Sequence, residues 1–136
     1  MSSRRNKALI RRYFELVERG DPGITDLMAE EITWWVPPAS PLGGSYRGKE
    51  RVLELMNSGV ELYDDRIPLR VEIEEMVAEG EWVCVQAIIE ASTAQGVAYR
   101  NHYHFAFRLR EGLIVAVKEY VDTLYAQRML FDAHSP

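Results

Sequence analysis

The chain has 136 residues, 47% of them apolar, with 16 basic against 21 acidic side chains and a net charge of −5. That length suits one domain, able to bury about two thirds of its unfolded surface without disulfides or a structural metal. The acidic balance argues against nucleic acid or an anionic membrane as partner.

From Asn6 to Arg19, the pairs Leu9/Ile10, Tyr13/Phe14 and Leu16/Val17 recur at steps of three and four, one apolar stripe on a helix. Gly20 is the expected C-cap, and Asp21-Pro22 opens a short second helix with Ile24, Leu27 and Met28 on one side. Ile32 to Val36 is β-branched and aromatic, a short strand. Residues 37–44, with three prolines and two glycines, read as a loop. Lys49 to Tyr63 returns to helical spacing through Val52, Leu53, Met56 and Val60.

From Ile67 the period becomes two, giving strands near 67–78, 81–93, 97–109 and 113–122 with turns at Glu79-Gly80, Gln95-Gly96 and Glu111-Gly112. Three helices followed by a meander of antiparallel strands make an α+β fold with the helices on one face of the sheet. The chain reads as a single domain over 1–136, frayed at residues 1–5 and 126–136. No apolar run approaches the ~20 residues of a membrane span, and the polar residues 2–7 have no signal-peptide core after them. A lone Cys84 excludes a disulfide framework and suits a reducing cytoplasm.

Alternation assigns the strand faces. In 97–109, Tyr99, Asn101, Tyr103, Phe105, Phe107 and Leu109 share the inward face, and Arg100, His102, His104, Ala106 and Arg108 the other. In 113–122, Glu119 lies inward with Val115, Val117 and Val121, where a carboxylate is costly unless it is hydrogen-bonded or borders a cavity. Asn101, an amide on an aromatic face, needs partners too. Trp34, Trp35 and Tyr46 flank the 37–44 loop, where a lid over a pocket is expected. Only one tryptophan can face inward, and Trp35 is favoured.

His102 and His104 would need a third metal ligand, and only His134 offers one. Their face, shared with Arg100 and Arg108, reads as the convex one, a dimer interface or a solvent face, and no metal is expected. Asp122 points outward, Cys84 is a small core residue, and Glu72, Glu74, Glu75, Glu79 and Glu81 form a solvated face. No phosphate loop, nucleotide fingerprint or Ser–His–Asp order is present, so no cofactor is expected.

Three runs carry a family resemblance: Arg12-Tyr-Phe-Glu-Leu-Val-Glu-Arg-Gly-Asp21, Leu27-Met-Ala-Glu-Glu-Ile-Thr-Trp-Trp35 and Gly44-Ser-Tyr-Arg-Gly-Lys-Glu-Arg-Val52. With the ending Glu111-Gly-Leu-Ile-Val-Ala-Val-Lys-Glu-Tyr-Val-Asp-Thr123, they resemble the SnoaL-like and ketosteroid-isomerase-like branch of the nuclear transport factor 2 fold, over about residues 6–125. The resemblance implies a cone: a strongly curved antiparallel sheet wrapped around three N-terminal helices, with one open-mouthed pocket, usually in a homodimer. It places Tyr13 where the isomerases keep an oxyanion-donating tyrosine and Asn101 where they keep a protonated aspartate. Glu119 falls near the final-strand acid/base of the cyclases. The isomerases' base aspartate has no counterpart, since Trp34 or Trp35 stands there, which argues against a steroid isomerase. An Asp–Arg–Asp epoxide-hydrolase arrangement would need a second inward carboxylate.

The first reading is a cofactor-independent isomerase, cyclase or hydrolase acting on an apolar carbonyl or epoxide substrate. Glu119 moves the proton, Tyr13 and Asn101 stabilise the oxygen, and Trp35 or Trp34, Tyr46, Tyr103, Phe105, Phe107 and Val117 shape the pocket. The second is a non-catalytic ligand-binding or dimerisation module of the same shape.

Overall fold

A computed structural model describes residues 2–132. Helix α1 spans Ser3–Arg19 and begins where the Ser2 hydroxyl accepts the Arg5 N–H at 3.1 Å. It ends at Gly20, whose φ of 62° lets its own N–H reach Val17 O while the Asp21 N–H reaches Leu16 O, a Schellman closure. The stripe expected from the sequence is the face it buries: Ile10, Tyr13, Phe14 and Leu16. The short second helix is a 3-10 turn, Pro22–Leu27, capped by the Asp21 carboxylate accepting the Gly23 N–H at 2.8 Å.

Six strands follow: β1 (Met28–Val36), β2 (Gly44–Arg47), β3 (Arg70–Glu79), β4 (Trp82–Ser92), β5 (Ala98–Arg110) and β6 (Leu113–Val121). Helix α2 (Lys49–Val60) sits between β2 and β3 and buries Val52 and Leu55. The sheet order is β2-β1-β6-β5-β4-β3. Strands β3 to β6 form the expected antiparallel meander, and the β5–β6 turn puts both Glu111 (φ 51°) and Gly112 (φ 77°) in the left-handed region that tight hairpins need.

The wholly antiparallel sheet expected from the sequence is corrected at one seam: β1 runs parallel to β6. No hairpin joins these two strands, so nothing in the connection forces them antiparallel. Register shifts interrupt β1 after Met28, β3 after Ile73 and β5 after Arg108. Such irregularities bend strands, and the open sheet curves strongly into a cone around the helices.

Helix α1 packs into the concave side of the sheet. The rings of Phe107, Tyr13 and Phe14 meet edge to face at 5.2–5.7 Å between centroids, over Val83, Val85, Leu109 and Ile114. A second cluster forms around Tyr99. There α3 (Thr123–Ala126) and a π-helical turn (Gln127–Phe131) bury Ala126 and Leu130 against Tyr99. Of the ends expected to be frayed, residues 3–5 belong to α1 and residues 126–131 are helical and packed, while residues 1 and 133–136 lie outside the described residues. Asp122, expected as an outward acid, is the N-cap of α3, its carboxylate accepting the Tyr125 N–H at 3.2 Å. His134 lies outside the described residues. Among those described, no helix is long and apolar enough to cross a membrane.

Candidate functional site

Between the two clusters lies a cavity of about 240 Å³. It is somewhat smaller than the ~300–1,000 Å³ typical of sites for drug-sized ligands, so its scale is that of a one- or two-ring molecule. Several elements supply walls: Tyr13, Phe14 and Val17 from α1, Trp34 and Val36 from β1, Leu55, Met56 and Val60 from α2, and Tyr99, Tyr103 and Phe105 from β5. Ser40 and Leu42 of the loop line one side, and Ala126, Leu130 and Phe131 of the C-terminal helices another. Among the described residues that line it, Glu119 is the one charged side chain, and none is basic.

Glu119 reaches the cavity because β6 pairs it with Phe105, on the inward face of both strands. Trp34, opposite Val117 on the neighbouring β1, donates its indole N–H to Glu119 Oε1 at 3.0 Å. Two effects act on this carboxyl. Loss of hydration inside the protein disfavours the charged form, and the indole N–H favours it. The first prevails, and the pKa rises from about 4.5 to about 6. The residue is half-buried rather than sealed, in keeping with a carboxyl that borders the cavity.

Tyr13 is 3% exposed, and its hydroxyl is held well above the usual tyrosine range, first by burial and then by the negative charge of Glu119. Tyr99 and Tyr103 hydrogen-bond hydroxyl to hydroxyl at 2.7 Å. Tyr63, just beyond α2, stands beside them with its ring edge-on to Tyr99 at 5.5 Å. Burial raises the pKa of all three, which keeps them protonated as hydrogen-bond donors.

The sequence profile of the SnoaL-like domain family matches residues 10–117. The chain belongs to that family. No curated protein sequence matches it significantly. Solved structures place this SnoaL-like chain in the wider NTF2-like fold. An NTF2-like protein from Burkholderia xenovorans LB400 is 27% identical with a TM-score of 0.76, over 96% of this chain and 98% of its own. TerC, co-crystallised with polyporic acid, is 18% identical with a TM-score of 0.82, over 93% and 98%. A candidate SnoaL-like polyketide cyclase from Jannaschia sp. CCS1 is 17% identical with a TM-score of 0.80, over 98% and 95%.

Within this SnoaL-like frame, the residues singled out from the sequence separate into three groups. Glu119, Tyr13, Trp34, Tyr103 and Phe105 converge on the cavity. Phe107 and Val117 face the same interior but lie below it, fully buried where α1 closes the cone. Tyr46 is partly buried and donates to Leu42 O at 2.8 Å, with the Arg51 guanidinium over its ring, so it pins the loop from behind. That loop, where a lid was expected, is a tight pair of turns, Ser40 N–H to Pro37 O and Gly43 N–H to Ser40 O, and its Ser40 and Leu42 line the cavity.

Two expectations are corrected outright. Trp34, not Trp35, lines the cavity: Ile32, Trp34 and Val36 are buried in alternation along the second half of β1, while Trp35 packs on the outer face against Tyr120 and Lys118. Asn101 is inward and 1% exposed, but it lies four residues from Phe105, the partner of Glu119. At about 3.3 Å per residue this sets it roughly 13 Å along the strand, so it does not join Glu119 on one substrate atom. Its amide is spent elsewhere, donating to Tyr99 Oη at 2.9 Å and Asp122 O at 3.1 Å and accepting the His102 N–H at 2.7 Å.

The sequence reading missed Tyr63, Tyr99 and the C-terminal Leu130 and Phe131 as cavity residues. Tyr99 carried a signal, since alternation puts it on the face of Tyr103. His102 and His104 sit on the outer face of β5, and among the described residues no group of three His, Cys, Asp or Glu is arranged to hold a metal.

Proposed function

We propose that this SnoaL-like protein is a cofactor-independent isomerase or cyclase that moves a proton on a small, uncharged, apolar carbonyl compound. The observation that carries this is the Glu119 carboxyl, the one charged side chain among the described residues of the cavity wall, fixed by Trp34 and poised near pH 6. A carboxyl with that pKa is ionised often enough at neutral pH to take a proton from carbon and acidic enough to return it. Tyr13 stays neutral and donates to the oxygen on which charge develops. Trp34, Tyr103 and Phe105 hold the apolar body of the substrate. An epoxide could be opened by the same acid, although a second carboxylate to activate water is not among the described lining residues. The likeness to the Jannaschia cyclase candidate, and to TerC with polyporic acid, supports the same reading by analogy of fold.

The test uses 2-tetralone, a neutral two-ring ketone with exchangeable protons beside its carbonyl. The protein should accelerate replacement of those protons by solvent deuterium, followed by NMR. Glu119→Gln should lose ~10²–10⁴ of that acceleration. Equal exchange with the two proteins would sink the reading. The competing reading, a binding module without turnover, is favoured by the solitary carboxylate, and it predicts tight 2-tetralone binding with no exchange.

The same proposal includes a homodimer through the outer sheet face around His102 and His104, and residence in the cytoplasm, where the free Cys84 would stay reduced. Sedimentation of the wild type against His102→Glu/His104→Glu tests the dimer. An unchanged mass would refute that interface.

A further inference from the structure

We propose that the Tyr99–Tyr103 hydroxyl pair, oriented by Asn101, is a second oxygen-binding subsite of the cavity, one that recognises a hydroxyl or carbonyl remote from the reacting carbon. The proposal deepens the reading above and rests on it for placing the ligand in the cavity.

The geometry follows from counting hydrogens. Asn101 Oδ1 accepts the His102 N–H and its amide nitrogen donates to Asp122 O, a carbonyl that can only accept. Both contacts fix the amide one way round, because a flipped amide would set donor against donor and oxygen against oxygen. The second amide hydrogen then points at Tyr99 Oη, 2.9 Å away, which must accept it. Tyr99 and Tyr103 together own two hydroxyl hydrogens and spend one on the 2.7 Å bond between them. One hydrogen is left over, to be donated to Tyr63 or to a ligand; where the three hydroxyls close a ring and spend all three hydrogens, Tyr103 and Tyr63 each keep a lone pair that can accept from a ligand hydroxyl.

Both tyrosines line the cavity while Asn101 stands behind them. Asn101 is thus a positioning residue, tying the pair to Asp122 at the start of the C-terminal helices. Burial keeps the hydroxyls protonated, so they act as donors. With a carboxyl and no basic group among the described wall residues, the cavity favours a neutral oxygen function over a carboxylate or phosphate.

The experiment compares 2-naphthol with naphthalene, two probes of one shape differing by a hydroxyl. Binding is measured by titration with the intact protein. The wild type should favour 2-naphthol by ~3- to 10-fold, the return on one neutral hydrogen bond. Tyr103→Phe should bring that ratio towards one. Glu119→Gln should leave it intact, whatever it does to deuterium exchange, so failure here is separable from failure of the catalytic reading. Asn101→Leu should weaken 2-naphthol while sparing naphthalene, whereas damage to the fold would weaken both. The subsite is overturned if the ratio survives Tyr103→Phe, if Glu119→Gln abolishes it, if Asn101→Leu weakens both probes alike, or if neither probe binds.

Discussion

Trp34 donates to Glu119 across the parallel β1–β6 seam of the sheet, at 3.0 Å, from a position opposite Val117 and two residues short of the carboxylate it holds. The bond restrains the carboxyl's rotation and opposes the effect of burial on its pKa. A second strand thus fixes the position and, in part, the acidity of the proposed acid/base.

The first prediction concerns stability against pH. Glu119 has a pKa raised from about 4.5 in the unfolded chain to about 6 in the folded one. A raised carboxyl pKa means that the folded state binds the proton more tightly. Its contribution is therefore fully present below pH 4.5 and is lost as pH rises through 6. About 1.5 units corresponds to roughly 2 kcal/mol. Glu81 and Asp64, whose pKa values are lowered by arginine partners, act in the opposite direction and at lower pH. Urea unfolding at about pH 5 and about pH 7.5 should show the wild type losing stability across that interval and Glu119→Gln losing much less. Parallel curves for the two proteins would contradict the assignment.

Replacing the donor gives the second prediction. Trp34→Phe keeps an aromatic ring on the cavity wall but removes the N–H that favours the carboxylate. The Glu119 pKa should move further up, measured by NMR titration of a ¹³C-labelled carboxyl. The packing loss at this 3%-exposed position should be smaller than the ~3–5 kcal/mol of truncating a buried aromatic to alanine. A fall in the Glu119 pKa would show that the indole does not stabilise the anion.

How far the sequence discloses this arrangement depends on the range of the forces involved. The hairpins β3 to β6 are local, their turns are marked by glycine, and one face is buried, so period two alone places Tyr103, Phe105 and Glu119 inward. The same period was available in β1, where Ile32, Trp34 and Val36 form the apolar line and Thr33 separates Ile32 from Trp34. Reading the two tryptophans by their nearness to the loop gives the wrong one. Other features lie beyond local patterns. Strand β2 has only four residues. The C-terminal helices depend on packing Leu130 and Ala126 against Tyr99, and Asn101 finds its carbonyl partner 21 residues away at Asp122. Their stability comes from tertiary contact, which no local window reports.

The third prediction tests whether the 37–44 loop is a fixed wall. A Cβ on Gly43 would clash with Pro37 O and lie 2.7 Å from Pro38 O, backbone atoms that cannot swing aside. Gly43→Ala should therefore open the paired turns and cost about 1–3 kcal/mol, the usual scale of overpacking. It should also displace Leu42 and Ser40 from the cavity and weaken 2-tetralone binding. A thermal melt and a binding titration on the same preparation measure both effects. An unchanged melting temperature would mean that the loop is free to rearrange.

The fourth prediction addresses the C-terminal wall. Leu130 is 4% exposed, packs on Tyr99 with Ala126, and also lines the cavity, so it serves core and pocket together. Leu130→Ala removes buried methyl groups next to an existing void, which the helix can fill only in part. The cost should be ~2–5 kcal/mol. The cavity should enlarge on the side away from Glu119's anchor, Trp34. Binding should then shift towards three-ring ketones relative to 2-tetralone, while the Glu119 pKa stays near 6 because its own neighbours are untouched. Deuterium exchange of 2-tetralone should slow through weaker binding, with little change in the rate at saturation. A large loss at saturation would instead show that the C-terminal helices help to position the reacting groups.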